Sequence, residues 1–160
     1  MATHRSLLIA LSLACTAALG QASPKCQVQP KTLAAMHNCY RPLLVFSPAP
    51  NDPRLKRQGQ ILDADADDMM DRFVLFTPIL PSAKGFDAPL DTPYVVLSAQ
   101  QMQAIRAQFH IPNENFTVLL LGEDGSEQLR STQPIGSARL NSLIDTMPSR
   151  KIEMKRLHAN

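Results

Sequence analysis

The stretch RPLLVFSPAPNDPRL, residues 41–55, decides the fold of this sequence. Its apolar run from Leu43 to Phe46 lies between two prolines, which is typical of a strand buried on both faces. Asp52 followed by Pro53 is a strong start signal for a helix, because aspartate caps free N–H groups and proline fits the first helical position. The stretch therefore predicts a buried strand that leads directly into a helix.

Beyond this stretch, apolar strands continue to alternate with helices. The expected elements are a strand at 72–77, a long loop at 78–93, a helix opened by the capping box Ser98 and Gln101, a strand at 116–121, a hairpin turn at Asp124-Gly125 with a returning strand at 127–131, and a helix that Pro148 ends. Short apolar strands separated by helices predict an α/β fold. We expect a mostly parallel central sheet with one antiparallel edge strand and helices on both faces.

The N-terminus has the layout of an export signal. Arg5 precedes about fifteen apolar or small residues, and a cleavage site follows Gly20 or Ala22. This run is shorter than the ~20 residues that span a bilayer, so we expect no transmembrane segment in the mature form. A lipoprotein signal ending at Cys15 is the alternative, although the preceding residues fit a lipobox poorly. The predicted organisation is a signal peptide at 1–22, an irregular lead-in at 23–40, a domain at 41–148 and a basic tail at 149–160, in an exported protein that is periplasmic or secreted.

The mature chain would keep two cysteines, Cys26 and Cys39. An even count in an oxidising compartment predicts one structural disulfide. The alternative is a reactive dithiol, but the spacing is not Cys-x-x-Cys and both residues precede the first strand. The same spacing argues against zinc, which needs four close-set ligands.

Composition narrows the possible partners. The formal net charge of the 160 residues is only +2, which is too small for a nucleic-acid binder. Tryptophan is absent and aromatic residues make up 5%, so a stacking platform for bases is not expected either. No cofactor is predicted, and the expected partner is a protein or a small molecule of unknown identity.

The start of the first helix is the candidate binding site. Its free N–H groups and Arg54 could hold a small anion, with hydrogen bonds from Ser47 and Asn51. The alternative is that Asp52, which would repel an anion, merely caps the helix.

An acidic run at 63–68 has part of a calcium-binding pattern. Asp63, Asp65 and Asp67 match the first three ligand positions of an EF-hand loop, but Asp68 stands where glycine is needed and Val74 where glutamate is needed. We therefore interpret the run as a solvated acidic turn. The mature histidines, His37, His110 and His158, are too scattered to predict a metal site.

Taken together, the motifs resemble a known family. They are RPLLVFSP at 41–48, NDPRL at 51–55, FTVLLLGEDG at 116–125, and LIDTMPSR at 143–150 with Glu153-Met154. They are similar to a thioredoxin-like domain of unknown function that occurs alone in secreted bacterial proteins. Related copies are the C-terminal domains of vertebrate secreted sushi-repeat and coiled-coil-domain proteins. The resemblance implies a thioredoxin-like fold and an extracytoplasmic setting, and a peroxiredoxin-like role has been suggested for such domains.

The residues themselves do not favour that role. Thioredoxins and peroxiredoxins place their reactive thiolate where the loop after the first strand meets the next helix. Here that position reads PNDP, residues 50–53, with no sulfur. We expect no catalytic residue and a non-catalytic binding or structural module of unknown ligand. The alternatives are a redox or peroxiredoxin-like protein that acts through Cys26 and Cys39, or a small-anion carrier at the first helix N-terminus.

Overall fold

The computed structural model describes residues 26–157. After a short 3-10 helix (Ala34–Met36), the elements in chain order are β1 (Arg41–Phe46), α1 (Pro53–Ala64), α2 (Ala66–Asp71), β2 (Val74–Ile79), α3 (Ala99–Gln108), β3 (Thr117–Leu121), β4 (Glu127–Ser131), α4 (Ser137–Ile144) and α5 (Pro148–Leu157). In this part of the chain, no helix is both long enough and apolar enough to cross a membrane. The predicted export signal and Cys15 lie outside the described residues.

The four strands form one sheet in the order β2-β1-β3-β4. β1 and β2 are parallel, whereas β3 is antiparallel to both β1 and β4. The predicted α/β class is confirmed, but the prediction of a mostly parallel sheet is wrong. The cause lies in the connection after β2, of which residues 93–95 run parallel to β2 before α3 begins. The connection therefore delivers β3 to the end of β1, where Thr117 lies opposite Phe46, and β3 has to run backwards.

The two edges of the sheet differ in character. At β4 the outward residues are polar, and Arg130 pairs with Glu127 at 2.8 Å. At β2 the middle of the strand is covered by the loop. The N–H of Phe76 donates to the Pro93 carbonyl at 2.9 Å, and the N–H of Val95 donates to the Phe76 carbonyl at 3.0 Å.

The helix boundaries follow local chemistry with two corrections. Asp52 caps α1 as predicted, and its side chain accepts the N–H of Arg54 at 2.8 Å. The acidic run at 63–68 is mostly helical, whereas a turn was predicted: Asp63 lies in α1, Asp65 separates the two helices, and Asp67 and Asp68 lie in α2, where Ala66 and Met69 are buried. Pro148 begins α5 rather than ending the previous helix, which stops at Ile144.

The core is built around β1, β2 and β3, whose residues are buried throughout. The lead-in contributes to it, since Met36 is completely buried and Leu33 packs against the core. A buried polar contact joins α1 to the segment before α4. The Gln58 amide donates to the Ile135 carbonyl at 3.1 Å and accepts the Ile135 N–H at 2.7 Å.

Candidate functional site

Two of the four residues predicted at the start of α1 lie together. The guanidinium of Arg54 donates to both carboxylate oxygens of Asp52, at 3.1 and 2.7 Å. It also lies over the ring of Phe116, 4.8 Å from the centroid. The hydrogen bond from Arg54 lowers the pKa of Asp52, although burial opposes this shift. Asp52 thus holds a negative charge at the N-terminus of the helix, where a bound anion would lie.

The other two predicted residues do not join this pair. Ser47 is fully buried, and its hydroxyl donates to the Ala49 carbonyl at 2.8 Å. Asn51 is exposed to solvent. Asp52 therefore caps α1, and the guanidinium of Arg54 neutralises the charge of its carboxylate. An anion-binding role for the four residues stays a prediction.

A buried arginine that the sequence analysis missed lies just behind this helix start. Arg106 of α3 is 7% exposed, and its guanidinium donates to the carbonyls of Ser47 at 3.0 Å, Ile79 at 2.8 Å and Pro112 at 2.7 Å. Burial lowers its pKa. These hydrogen bonds connect the ends of β1 and β2 to the loop before β3. The sequence does contain an indication that Arg106 is buried, because Arg106 lies one helical turn after Met102 on the apolar face of the helix.

The predicted disulfide is present at the opposite end of β1. Cys26 and Cys39 are joined, with Cα atoms 5.5 Å apart. The hydroxyl of Tyr40 donates to the Gln27 carbonyl at 2.8 Å and further fixes the lead-in. Inside the closed loop lies the short 3-10 helix, so the disulfide holds a structured segment against the domain.

That loop forms one wall of a pocket, which we name the disulfide-loop pocket, with a volume of about 260 Å³. The opposite wall comes from the end of β3 and the following hairpin. The pocket is lined by Leu33, Ala34, Met36, His37, Tyr40, Pro42, Gln108, Leu121, Gly122, Glu123 and Gly125. Most of its surface is apolar, and the carboxyl-bearing residue in the lining is Glu123.

Glu123 belongs to an ionic cluster centred on Arg41. The Arg41 side chain is completely buried, and its guanidinium lies 3.4 Å from Glu123 and 2.7 Å from Glu153. It also donates to the Ser149 hydroxyl at 2.7 Å and to the Arg72 carbonyl at 2.8 Å. The cluster therefore ties α5 to the start of β1.

The two glutamates of this cluster differ in acidity. Burial raises the pKa of Glu123, and the neighbouring charge of Glu153 adds to the effect while Arg41 opposes it. Burial acts in the same direction on Glu153, but hydrogen bonds from Arg41 and Arg150 outweigh it and lower the pKa of Glu153.

The cluster continues outward from Arg41. Arg72 binds Asp145 at 3.0 and 2.9 Å, and Arg150 binds both Asp71 and Glu153. Arg150 is only 4% exposed, so this part of the predicted basic tail is not a solvated face. Buried guanidiniums are tolerated here because each has carboxylate partners.

The acidic run at 63–68 has structural partners. Asp63 accepts the N–H groups of Leu90, Asp91 and Thr92, at 2.9, 3.3 and 3.0 Å. Asp68 accepts from the Asn141 amide at 2.7 Å. Between residues 26 and 157, no group of three or more potential metal ligands is close enough to hold an ion.

The two histidines that the structure describes, His37 and His110, line different pockets. His37 lines the disulfide-loop pocket, where its ring lies over Gly125. His110 follows α3 with a φ of 55°. His158 lies outside the described residues.

With this geometry in place, the fold can be compared with solved structures. A thioredoxin peroxidase I of Plasmodium yoelii matches with a TM-score of 0.54 at 14% identity, over 74% of this chain and 79% of that chain. The reduced 2-Cys peroxiredoxin of Plasmodium vivax gives 0.55 at 13% identity, over 74% and 83%. Peroxiredoxin 6 of Arenicola marina, in a cysteine-to-serine mutant, gives 0.51 at 16% identity, over 76% and 71%. The protein therefore has a thioredoxin-like fold, as predicted.

The sequence places it more narrowly. Residues 32–153 match a family described as a domain of unknown function (DUF4174), and the chain belongs to that family. The predicted resemblance to a thioredoxin-like family of unknown function is thereby confirmed. No curated protein matches the sequence significantly.

Proposed function

We propose that this protein is an exported thioredoxin-like binding module that performs no thiol chemistry. The observation that carries the proposal is the identity of the residue at the N-terminus of α1. A thiol enzyme of this fold needs a thiolate there, because the helix N-terminus lowers the thiol pKa. This chain presents the carboxylate of Asp52 instead, and Arg54 already neutralises it.

The position of the disulfide supports the same proposal. Cys39 precedes β1, whereas the start of α1 follows it, and the six residues of the strand separate the two places by about 20 Å. A thiolate at Cys26 or Cys39 would therefore lack the helix N-terminus that activates thiols in this fold. We interpret the pair as a clamp on the lead-in.

Enzyme assays test the absence of thiol chemistry. We expect the oxidised protein to show background rates of peroxide consumption and of insulin reduction with dithiothreitol as the reductant. The matched control is the Cys26→Ser/Cys39→Ser double variant, which should give the same background rates. Turnover in the wild type that the double variant loses would overturn the proposal in favour of a redox role for these cysteines.

Mass spectrometry of the protein recovered from its native host tests export. The mature N-terminus should lie near Gln21 or Ser23 and carry no lipid, as the cleavage pattern after small residues predicts. A diacylated N-terminal Cys15 would instead make the protein membrane-anchored and refute this part of the proposal.

A further inference from the structure

We propose that the disulfide-loop pocket binds a small cationic amphiphile, namely an ammonium group on a short apolar chain, with Glu123 as the counterion. This inference rests on the proposed binding function and names the site and the class of ligand. It is carried by the shape of the pocket, the charges around it and the covalent closure of its wall.

The shape and polarity of the pocket suit a small molecule with an apolar chain. Its volume of about 260 Å³ lies just below the usual range of sites for drug-sized ligands, so the occupant is a smaller molecule. Leu33, Met36, Pro42 and Leu121 supply apolar walls from three separate segments of the chain. Such a surface gains free energy by covering an apolar chain.

The Glu123 end of the pocket carries a negative charge. Glu123 lines the pocket and is part of the cluster that joins α5 to β1. Among the residues that the structure describes, the pocket lining contains this one carboxylate and no lysine or arginine. A cation is the ligand charge that such a surface favours.

Of the two glutamates beside Arg41, Glu123 makes the longer ion pair. Arg41 lies 2.7 Å from Glu153 but 3.4 Å from Glu123, so the closer ion pair belongs to Glu153. Glu123 keeps 19% of its side chain exposed. An ammonium group beside it would supply the charge-assisted hydrogen bond that Arg41 makes only at a distance, and it would favour the ionised carboxylate against the effect of burial.

The disulfide closes the loop that forms one wall of the pocket. Four of the lead-in residues that line the pocket, Leu33, Ala34, Met36 and His37, lie between Cys26 and Cys39, and Tyr40 follows Cys39 directly. The cross-link limits the freedom of this wall in the unbound protein. Binding then costs less ordering of the chain, which is the general advantage of a preorganised site.

Titrations with three probes of equal chain length test the proposal: hexylammonium, hexanol and hexanoate, followed by amide chemical shifts of the oxidised protein. Hexylammonium should bind about tenfold or more tightly than the other two, with shifts at Leu121–Gly125 and at the lead-in. Equal affinity for the neutral or anionic probe, or shifts confined to another surface, would overturn the proposal.

Variants separate the charge from the shape. Glu123→Gln should weaken hexylammonium binding about tenfold and leave hexanol unaffected, whereas Glu127→Gln on β4 serves as the matched control without effect. Ala34→Phe, at an exposed position in the mouth, should block all three probes even if Glu123→Gln fails to fold. Unchanged hexylammonium affinity in either pocket variant would refute the site.

These results are independent of the thiol assays. Failure of the amine to bind removes this site and leaves the proposal of a binding module without thiol chemistry in place. Thiol turnover would remove that proposal and leave the pocket measurements valid.

Discussion

Replacing Arg106 by alanine is expected to destabilise the fold by an amount that can be worked from its three acceptors. The Ile79 carbonyl would keep a second donor, the Ser47 N–H at 3.2 Å. The Pro112 carbonyl would likewise keep the Asn115 N–H at 3.2 Å. The Ser47 carbonyl depends on Arg106 among the described contacts, so it alone would be left buried without a donor.

One orphaned carbonyl costs about 1–3 kcal/mol, and two weakened acceptors add to it. The guanidinium also lies 5.5 Å from the centroid of the Phe46 ring, a contact worth about 0.5–2 kcal/mol. Removing the cost of burying the charge offsets part of the loss, a cost evident in the lowered pKa of Arg106. We expect a net loss of about 2–4 kcal/mol for Arg106→Ala.

Urea unfolding followed by circular dichroism measures this loss as a lower midpoint with an unchanged slope. Arg106→Met keeps the side-chain length and the contact with Phe46, so it should lose less, about 1–2 kcal/mol. Arg130→Ala is the control, because its exposed pair with Glu127 should contribute less than about 1 kcal/mol. Arg106→Ala within error of Arg130→Ala would refute the role assigned to the three hydrogen bonds.

Two further predictions concern the disulfide and the ionic cluster. The Cys26→Ser/Cys39→Ser variant should lose no more than about 3 kcal/mol of stability, because the closed loop is short, and hydrogen exchange should rise only in the lead-in; exchange that rises across the sheet would contradict this. The hydrogen bond from Arg72 lowers the pKa of Asp145, so its contribution is present above the unfolded pKa and is lost as the pH falls through the folded value. Asp145→Asn should therefore be less stable than wild type near neutrality, and in urea titrations this difference should shrink as the pH falls below about 4, unlike that of the exposed control Asp67→Asn. A difference that stays constant as the pH falls would refute the ion pair.

Features fixed by local chemistry were predictable from the sequence. The buried strand β1, the Asp52 cap, the Asp124-Gly125 hairpin and the cysteine pair each depend on neighbouring residues or on a small count. Gly125 adopts a φ of 76° in that hairpin, a conformation that glycine tolerates.

Features fixed by the path of the chain were not predictable. The direction of β3 depends on how the connection after β2 passes beside that strand, and the alternation of helices and strands does not encode that path. The disulfide-loop pocket combines the lead-in, the start of β1, the end of α3 and the hairpin after β3. No periodicity within one segment predicts such a meeting. The partners of Arg41 are equally distant in sequence, since Glu153 lies on the last helix.

The two protected edges of the sheet affect how readily this protein aggregates at high concentration. An unguarded edge strand is a template on which another chain can add its own backbone, and this is how folded proteins enter amyloid-like assemblies. Here the Glu127–Arg130 pair places charges along β4, and the Phe76 backbone is already bonded to the chain's own loop. Intermolecular strand addition would have to bury those charges or displace that loop, so the native state resists templated growth at both ends of the sheet.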